Sequence, residues 1–95
     1  MYKVIFIPSA ASQYAEVLEK LASAPKSLAA FEREIEHAIR RLEIMPESYP
    51  PKGKIRAVRL VKSQYYLFFQ VEEEKKRVVI TLIIHQKQNP DKWPD

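Results

Sequence analysis

The sequence predicts an α+β fold in which a helical hairpin packs on one face of a mainly antiparallel sheet. Three observations predict it: a β-branched and aromatic segment opens the chain, two amphipathic helical stretches follow, and three hydrophobic runs come last. The element order is therefore β-α-α-β-β-β. A chain of 95 residues has the length of one domain, which we expect to span residues 1–95.

The first predicted strand runs from Tyr2 to Ile7, because only Lys3 is polar within it. Pro8 should end this strand, and Ser9 is the expected N-cap of the first helix. An apolar stripe at helical spacing follows, made by Tyr14, Val17, Leu18 and Leu21. We expect Pro25 to interrupt that helix.

A second helix is predicted from about Lys26 to Ile44. Its apolar stripe is the most regular pattern in the chain: Leu28, Phe31, Ile35, Ala38, Leu42 and Met45. The stripe is short for a coiled coil, so packing on the sheet is favoured over an oligomer seam. The exposed face should carry Glu32, Arg33, Glu36 and Arg40, with a solvated His37 nearby.

Prolines predict an extended loop from Pro46 to Lys54, and three strands should follow it. Their hydrophobic runs are Ile55 to Val61, Tyr65 to Val71 and Val78 to Ile84, joined by short polar segments typical of an antiparallel meander. Strict alternation in the last run would place Val78, Ile80, Leu82 and Ile84 under the helices. Arg77 and His85 would then share the uncovered face, about 25 Å apart.

Positive charge is concentrated in the second half of the chain. Residues 1–48 hold six Lys/Arg and seven Asp/Glu, whereas residues 49–95 hold ten and five. No acidic residue interrupts the basic cluster, which consists of Lys52, Lys54, Arg56, Arg59 and Lys62. Such a cluster fits an anionic partner, and it equally fits a solvated strand edge protected from aggregation.

Several functional classes are excluded by composition. The single glycine, Gly53, excludes the glycine-rich loops that cradle nucleotide phosphates, and the lack of cysteine excludes disulfides and thiolate metal sites. We therefore expect neither a cofactor nor a metal. No apolar run approaches the length that spans a bilayer, so a cytoplasmic protein without a membrane partner is expected.

The element order and several local sequences together resemble the RelE/ParE superfamily of type II toxins. The matching text is Leu42-Glu43-Ile44-Met45-Pro46, Lys54-Ile55-Arg56-Ala57-Val58-Arg59-Leu60, Tyr65-Tyr66-Leu67-Phe68-Phe69-Gln70-Val71 and Val79-Ile80-Thr81-Leu82-Ile83-Ile84-His85, followed by Pro90 and Trp93-Pro94. The resemblance covers nearly the whole chain. The tail that ends in Trp-Pro is especially similar to the ParE branch.

This resemblance implies a growth-arresting toxin, of the kind associated with plasmid stabilization, that a cognate antitoxin neutralises in a hetero-oligomer. The RelE branch cleaves messenger RNA in the ribosome without a metal, whereas the ParE branch inhibits DNA gyrase. The chain lacks the arginine that the nuclease branch carries in the middle strand of the meander, where Gln64 to Phe68 stands, and it lacks a tail tyrosine. A ParE-like gyrase inhibitor is therefore favoured, with the ribonuclease and an inactive binding module of the same fold as alternatives.

The resemblance and the charge pattern together single out eight candidate residues. Contacts with the target or with RNA are expected from Lys52, Lys54, Arg56, Arg59, Arg77 and Lys87. His85 would transfer a proton if the protein is a ribonuclease, and a structural role at the strand end is the alternative. Trp93 is expected to anchor the tail or to contact a partner.

Overall fold

The structure, a computed structural model, describes residues 1–88. Its elements are β1 (Lys3–Phe6), α1 (Pro8–Leu21), α2 (Pro25–Ile44), a 3-10 turn (Pro46–Ser48), β2 (Pro51–Lys52), β3 (Ile55–Leu60), β4 (Tyr65–Glu72) and β5 (Arg77–His85). The five strands form one sheet in the order β1-β5-β4-β3-β2. The pair β1–β5 is parallel and the other pairs are antiparallel, so the predicted α+β class is confirmed.

Both helices begin at a proline. Pro8 and Pro25 occupy the first turns of α1 and α2, where the missing proline N–H costs nothing and the fixed φ suits a helix. Ser9 is therefore not the N-cap of α1: that position is Ile7, and no side chain caps the helix. Pro25 likewise opens α2 as well as separating the two helices.

The segment from Pro46 to Lys54 is more ordered than the predicted extended loop. It contains the 3-10 turn and the two-residue strand β2, which pairs with the start of β3 through Pro51↔Arg56 and Lys52↔Ile55. Gly53 links β2 to β3 with a φ of +64°, a conformation that glycine adopts without strain. The lone glycine of the chain thus serves a tight turn.

A β-bulge in β5 reverses the predicted faces of its second half. Phe68 pairs with Leu82 while Phe69 pairs with Ile80, which leaves Thr81 as the extra residue. Val78 and Ile80 pack under the helices as predicted, but after the bulge Ile83 joins that core. The placement of Leu82 and Ile84 under the helices, and of His85 on the other face, was therefore wrong.

The core lies between the helical hairpin and the sheet. Its fully buried side chains include Phe31 and Leu42 from α2 and Leu67, Phe69 and Ile80 from the sheet. Phe31, Ile35, Ala38 and Leu42 of the predicted stripe thus pack on the home sheet, as predicted, whereas Met45 lies beyond the end of α2 and is exposed. None of the helices in the described part of the chain is long and apolar enough to cross a membrane.

Candidate functional site

The predicted basic cluster lies at the β2–β3 edge of the sheet. Lys52 is in β2, Lys54 follows in the turn, and Arg59 lies near the end of β3. All three residues are exposed, because β2 and β3 are the last two strands on this side. The exposed charges of Lys54 and Arg59 are available for an anionic partner.

Arg56 differs from these neighbours because its guanidinium is engaged by the backbone. It is half-buried, and its Nη1 donates to the carbonyl oxygens of Tyr49 and, at 3.4 Å, Glu47. These bonds hold the chain that follows the 3-10 turn against β3. Alternation along β3 places Arg56 with the buried Val58 on the helix side. Arg56 therefore holds the segment before β2 in place from the helix side of the sheet.

Arg77 lies away from the basic cluster, at the start of β5. Its Nε donates to Oε1 of Glu72 at 2.7 Å, and the two residues are register partners across β4 and β5. Because this carboxylate neutralises its charge, Arg77 adds little to a positive surface. The sequence prediction that grouped Arg77 with the binding cations receives no support from its position.

His85 ends β5 on the helix side, at one end of a row of aromatic rings. Its imidazole meets the ring of Tyr65 edge-on, with centroids 5.0 Å apart. The row continues from Tyr65 through Phe31 and Tyr14 to Phe6, with centroid separations of 5.2 to 5.8 Å. The bulge at Thr81 turns His85 toward this row, which is why strict alternation misplaced it.

The hydrogen bonds of His85 fix its tautomer. Its Nδ1 accepts the backbone N–H of Lys87 at 3.1 Å, so the neutral ring carries its proton on Nε2. Burial, and then the charges of Lys87 and Lys20, lower the pKa of His85 below its usual value. His85 is therefore neutral at neutral pH and presents an N–H donor rather than a free base.

Two lysines that sequence analysis did not select for this site line the pocket at His85. The pocket holds about 290 Å³, and Lys20 from α1 and Lys62 from the β3–β4 turn line it together with His85 and Ser63. The Ser63 hydroxyl is buried there without a hydrogen-bond partner among the described residues. Sequence reasoning missed Lys20 because nothing in the pattern of α1 places that residue beside the end of β5.

Apart from Lys62, which lines the pocket at His85, the structure keeps the basic cluster away from His85. Arg56 lies level with Phe69 on β4, whereas His85 lies level with Tyr65, four residues or about 14 Å along the same strand. Arg59 is nearer that level but stands two strands away, on the edge strand β3. Of the predicted cations, only Lys87 lies beside His85.

A second basic surface lines a groove between α2 and β3. Arg33, His37 and Arg41 follow one another at four-residue spacing along one flank of α2, and all three line this groove of about 390 Å³. The opposite flank carries Glu36 and Arg40, which form an ion pair. The sequence prediction did not divide the exposed face of α2 into two flanks. The four-residue spacing of Arg33, His37 and Arg41 could have indicated that these three side chains share one flank.

Neither a metal site nor an open aromatic surface is found among residues 1–88. No group of three or more metal-ligating side chains occurs within residues 1–88. Tyr65, Phe68 and Phe69 are buried and Tyr66 contacts Phe68, so the aromatic residues of β4 do not form an open stacking surface. Trp93 lies outside the described residues.

Comparison with known proteins decides the family. The family model for the ParE toxin of the type II toxin-antitoxin system parDE matches residues 4–90. The chain belongs to the ParE toxin family. A crystal structure of the isolated E. coli RelE toxin is similar to this ParE-family chain, with a TM-score of 0.60, 22% identity, and coverage of 87% of this chain and 82% of RelE. No match was found among curated proteins.

Membership of the ParE family gives the protein its broad role. It is a toxin of a type II toxin-antitoxin system, which implies a cognate antitoxin as partner. The likeness to RelE, at 22% identity, shows that the two share the fold of a helical hairpin on a five-stranded sheet.

Proposed function

We propose that this ParE-family toxin arrests growth by binding DNA gyrase rather than by cleaving RNA, and that its antitoxin blocks this contact. We also propose that residues 1–95 act as one domain in the cytoplasm. The observation that supports gyrase is the separation of the β2–β3 edge, with Lys54, Arg56 and Arg59, from His85. Binding needs an accessible surface, whereas catalysis needs groups converging on one atom.

Metal-free RNA cleavage needs a proton acceptor, a proton donor and cations at the phosphate. The lone pair on Nδ1 of His85 already accepts the Lys87 N–H, and Nε2 holds the proton. To act as a base, His85 would have to change tautomer and lose that bond. The geometry thus favours Nε2–H of His85 as a hydrogen-bond donor.

A ribosome-dependent ribonuclease is the second candidate. The observation that favours it is the pocket in which Lys20 and Lys62 surround His85, because those cations could meet a phosphate there. In this alternative Nε2–H of His85 would donate a hydrogen bond to the phosphate and the lysines would stabilise its charge. This pocket gathers two lysines, whereas the β2–β3 edge carries Lys52, Lys54 and Arg59.

Induced expression without the antitoxin tests the proposal. We expect growth arrest with SOS induction, and in vitro a loss of supercoiling and an accumulation of gyrase-linked cleaved DNA. Mapping of messenger RNA ends in the same cells should show no codon-positioned cuts. Ribosome-dependent cuts with intact gyrase activity would overturn the proposal, and normal growth would leave only an inactive binding module.

The single substitution His85→Ala distinguishes gyrase inhibition from RNA cleavage as the toxic activity of this protein. A gyrase inhibitor should keep its toxicity when this imidazole is removed, provided that circular dichroism shows a folded protein. Loss of toxicity together with loss of messenger RNA cleavage would favour the ribonuclease. Lys75→Ala, in the distant β4–β5 turn, is the matched control for handling and expression.

A further inference from the structure

The pocket at His85 is formed where four separate segments of the chain meet. Lys20 comes from the last turn of α1, Ser27 from the first turn of α2, Lys62 and Ser63 from the β3–β4 turn, and His85 from the end of β5. At about 290 Å³ the pocket lies at the small end of ligand sites, which span roughly 300 to 1,000 Å³. Its size suits a small molecule or one terminal group of a larger molecule.

Positive charge in this pocket is not compensated by the protein. Lys20 and Lys62 form no ion pair within residues 1–88, and no carboxylate of that range lines the pocket. Glu16 lines the neighbouring cavity together with Lys20. Glu34 accepts the backbone N–H groups of Lys62 and Ser63, at 3.0 and 2.8 Å. The pocket therefore offers two cations to an anionic ligand.

Uncharged groups of the pocket also favour an anion. Nδ1 of His85 accepts the Lys87 N–H, so Nε2 carries a proton that it can donate. The buried Ser63 hydroxyl has no hydrogen-bond partner among the described residues. Because Ser63 as a whole is only partly buried, a change of rotamer can present this hydroxyl to a ligand. The first turn of α2, with Ser27, has no acidic side chain and no side-chain cap, so its free N–H groups attract negative charge.

We propose that this pocket binds a dianionic phosphate group, either as inorganic phosphate or as the terminal phosphate of a small phosphorylated molecule. The two lysines match the charge of a phosphate monoester, whereas an internal phosphodiester carries a single charge. A nucleic acid chain would also have to enter and leave the site, and the small volume of the pocket opposes this. The chemistry of the pocket therefore selects a terminal phosphate.

Phosphate binding should stabilise the folded protein. The ligand would join α1, α2, the β3–β4 turn and the end of β5, which come together only in the native state, so stability should rise with phosphate concentration. This site goes beyond gyrase inhibition, which we assign to the β2–β3 edge. Failure to bind phosphate would leave gyrase inhibition standing, and failure to inhibit gyrase would leave the phosphate site standing.

The test titrates inorganic phosphate into the full-length, 15N-labelled protein at about pH 8, where phosphate groups are dianionic, with ionic strength held constant by sodium chloride. We expect amide shift changes at Lys20, at 62–64 and at His85, with a Kd of about 1 mM. At a phosphate concentration about tenfold above Kd, Tm should rise by about 5 to 10 °C.

Two further probes identify the form of phosphate that binds. Adenosine 5′-monophosphate, a monoester, should shift the same amides, whereas dimethyl phosphate, a singly charged diester, should bind at least about tenfold more weakly. Tighter binding of the monoester than of inorganic phosphate would support a small phosphorylated molecule as the ligand. The reverse order would support free phosphate.

Matched variants separate the pocket from nonspecific attraction. Lys20→Gln with Lys62→Gln should weaken phosphate binding about tenfold, because each removes one exposed charge contact. Lys3→Gln with Lys75→Gln removes the same net charge near the start of β5, at the other end of that strand, and should change Kd by less than about twofold. Ser63→Ala should reduce the rise in Tm with phosphate and should not lower Tm without phosphate, because the hydroxyl has no partner to lose.

Four results would overturn the proposal. They are an absence of shift changes at the pocket, an equal rise in Tm when chloride replaces phosphate, equal weakening by the two double variants, and tighter binding of dimethyl phosphate than of the monoester. The shift changes and the comparison of anions are measured on the unmodified protein, so they decide the question even if a variant fails to fold.

Discussion

Arg56 and His85 each use polar atoms to hold the backbone of their own chain. Arg56 donates to the carbonyl of Tyr49, and Nδ1 of His85 accepts the N–H of Lys87. Both residues were selected from the sequence as functional because charged or titratable groups at strand ends are often used in binding. Their bonds depend on where the loop and tail run, which the residue pattern does not encode.

Arg56→Lys should lower the free energy of unfolding by about 1 kcal/mol. A lysine keeps the charge but loses the guanidinium Nη1 that donates to both carbonyl oxygens. Urea denaturation followed by circular dichroism measures the effect. Lys54→Gln, two residues away and exposed, should change stability by less than about 0.5 kcal/mol. Unchanged stability in Arg56→Lys would mean that charge, rather than the guanidinium hydrogen bonds, stabilises this loop.

His85 should titrate below its usual value near 6.5, because burial and then Lys87 and Lys20 disfavour the charged ring. The lowered pKa means that the unfolded chain binds this proton more readily. Stability from this group is therefore fully present above pH 6.5 and declines as pH falls toward the folded pKa. A 1H–13C NMR titration of the ring reports the folded pKa.

Lys87→Gln should raise the pKa of His85 and still leave it below 6.5, since burial is the largest cause. Lys75→Gln, which removes a charge from the distant β4–β5 turn, should leave the titration unchanged. A His85 that titrates above 6.5 in the unmodified protein would contradict this account of its surroundings.

At the scale of elements, the bulge in β5 determines which side chains meet the helices. With Thr81 as the extra residue, Ile80 and Ile83 both enter the core although they are three positions apart. Beyond the bulge, where β1 no longer pairs with β5, the Ile83 N–H donates to Gln13 Oε1 of α1 at 2.9 Å. The one extra residue, Thr81, thus determines that His85 lies on the helix side of the sheet.

Deletion of Thr81 should preserve the fold. Without it, Ile80, Leu82, Ile83, Ile84 and His85 alternate in a regular ladder that keeps each side chain on its present face. We expect a change in the free energy of unfolding of at most about 1 kcal/mol, measured by urea denaturation. NMR spectra of the deletion variant should still show the contact between the rings of His85 and Tyr65.

Deletion of Val79 is the control. It leaves a chain of the same length but shifts the register, so that regular pairing puts Thr81 in the core position of Ile80. Loss of that buried side chain should cost about 2 to 5 kcal/mol. Similar stability in both deletion variants would mean that Thr81 does not set the register.

The sequence predicted most elements because their signals are local. The stripe of α2 and the hydrophobic runs of β3, β4 and β5 appear with boundaries within one or two residues of those predicted. The bulge at Thr81 and the short strand β2 were not predictable in the same way, since each depends on a partner strand. The groove was not predictable from local signals, because it is formed by the tertiary contact between α2 and β3.

At the scale of the whole molecule, the cations are distributed over separate surfaces. The β2–β3 edge carries Lys54 and Arg59, and the flank of α2 carries Arg33 and Arg41. These surfaces meet along β3, so a partner at the groove would lie beside the predicted target-binding edge.

Lys54→Glu with Arg59→Glu should slow association with gyrase, because reversal of exposed charges removes electrostatic steering. We expect the rate to fall about tenfold at low salt, and by less at physiological ionic strength, where screening shortens the range of the field. Surface plasmon resonance across a salt series measures it. Lys26→Glu with Lys75→Glu changes the net charge equally and should slow association much less, so equal slowing would show that net charge alone acts.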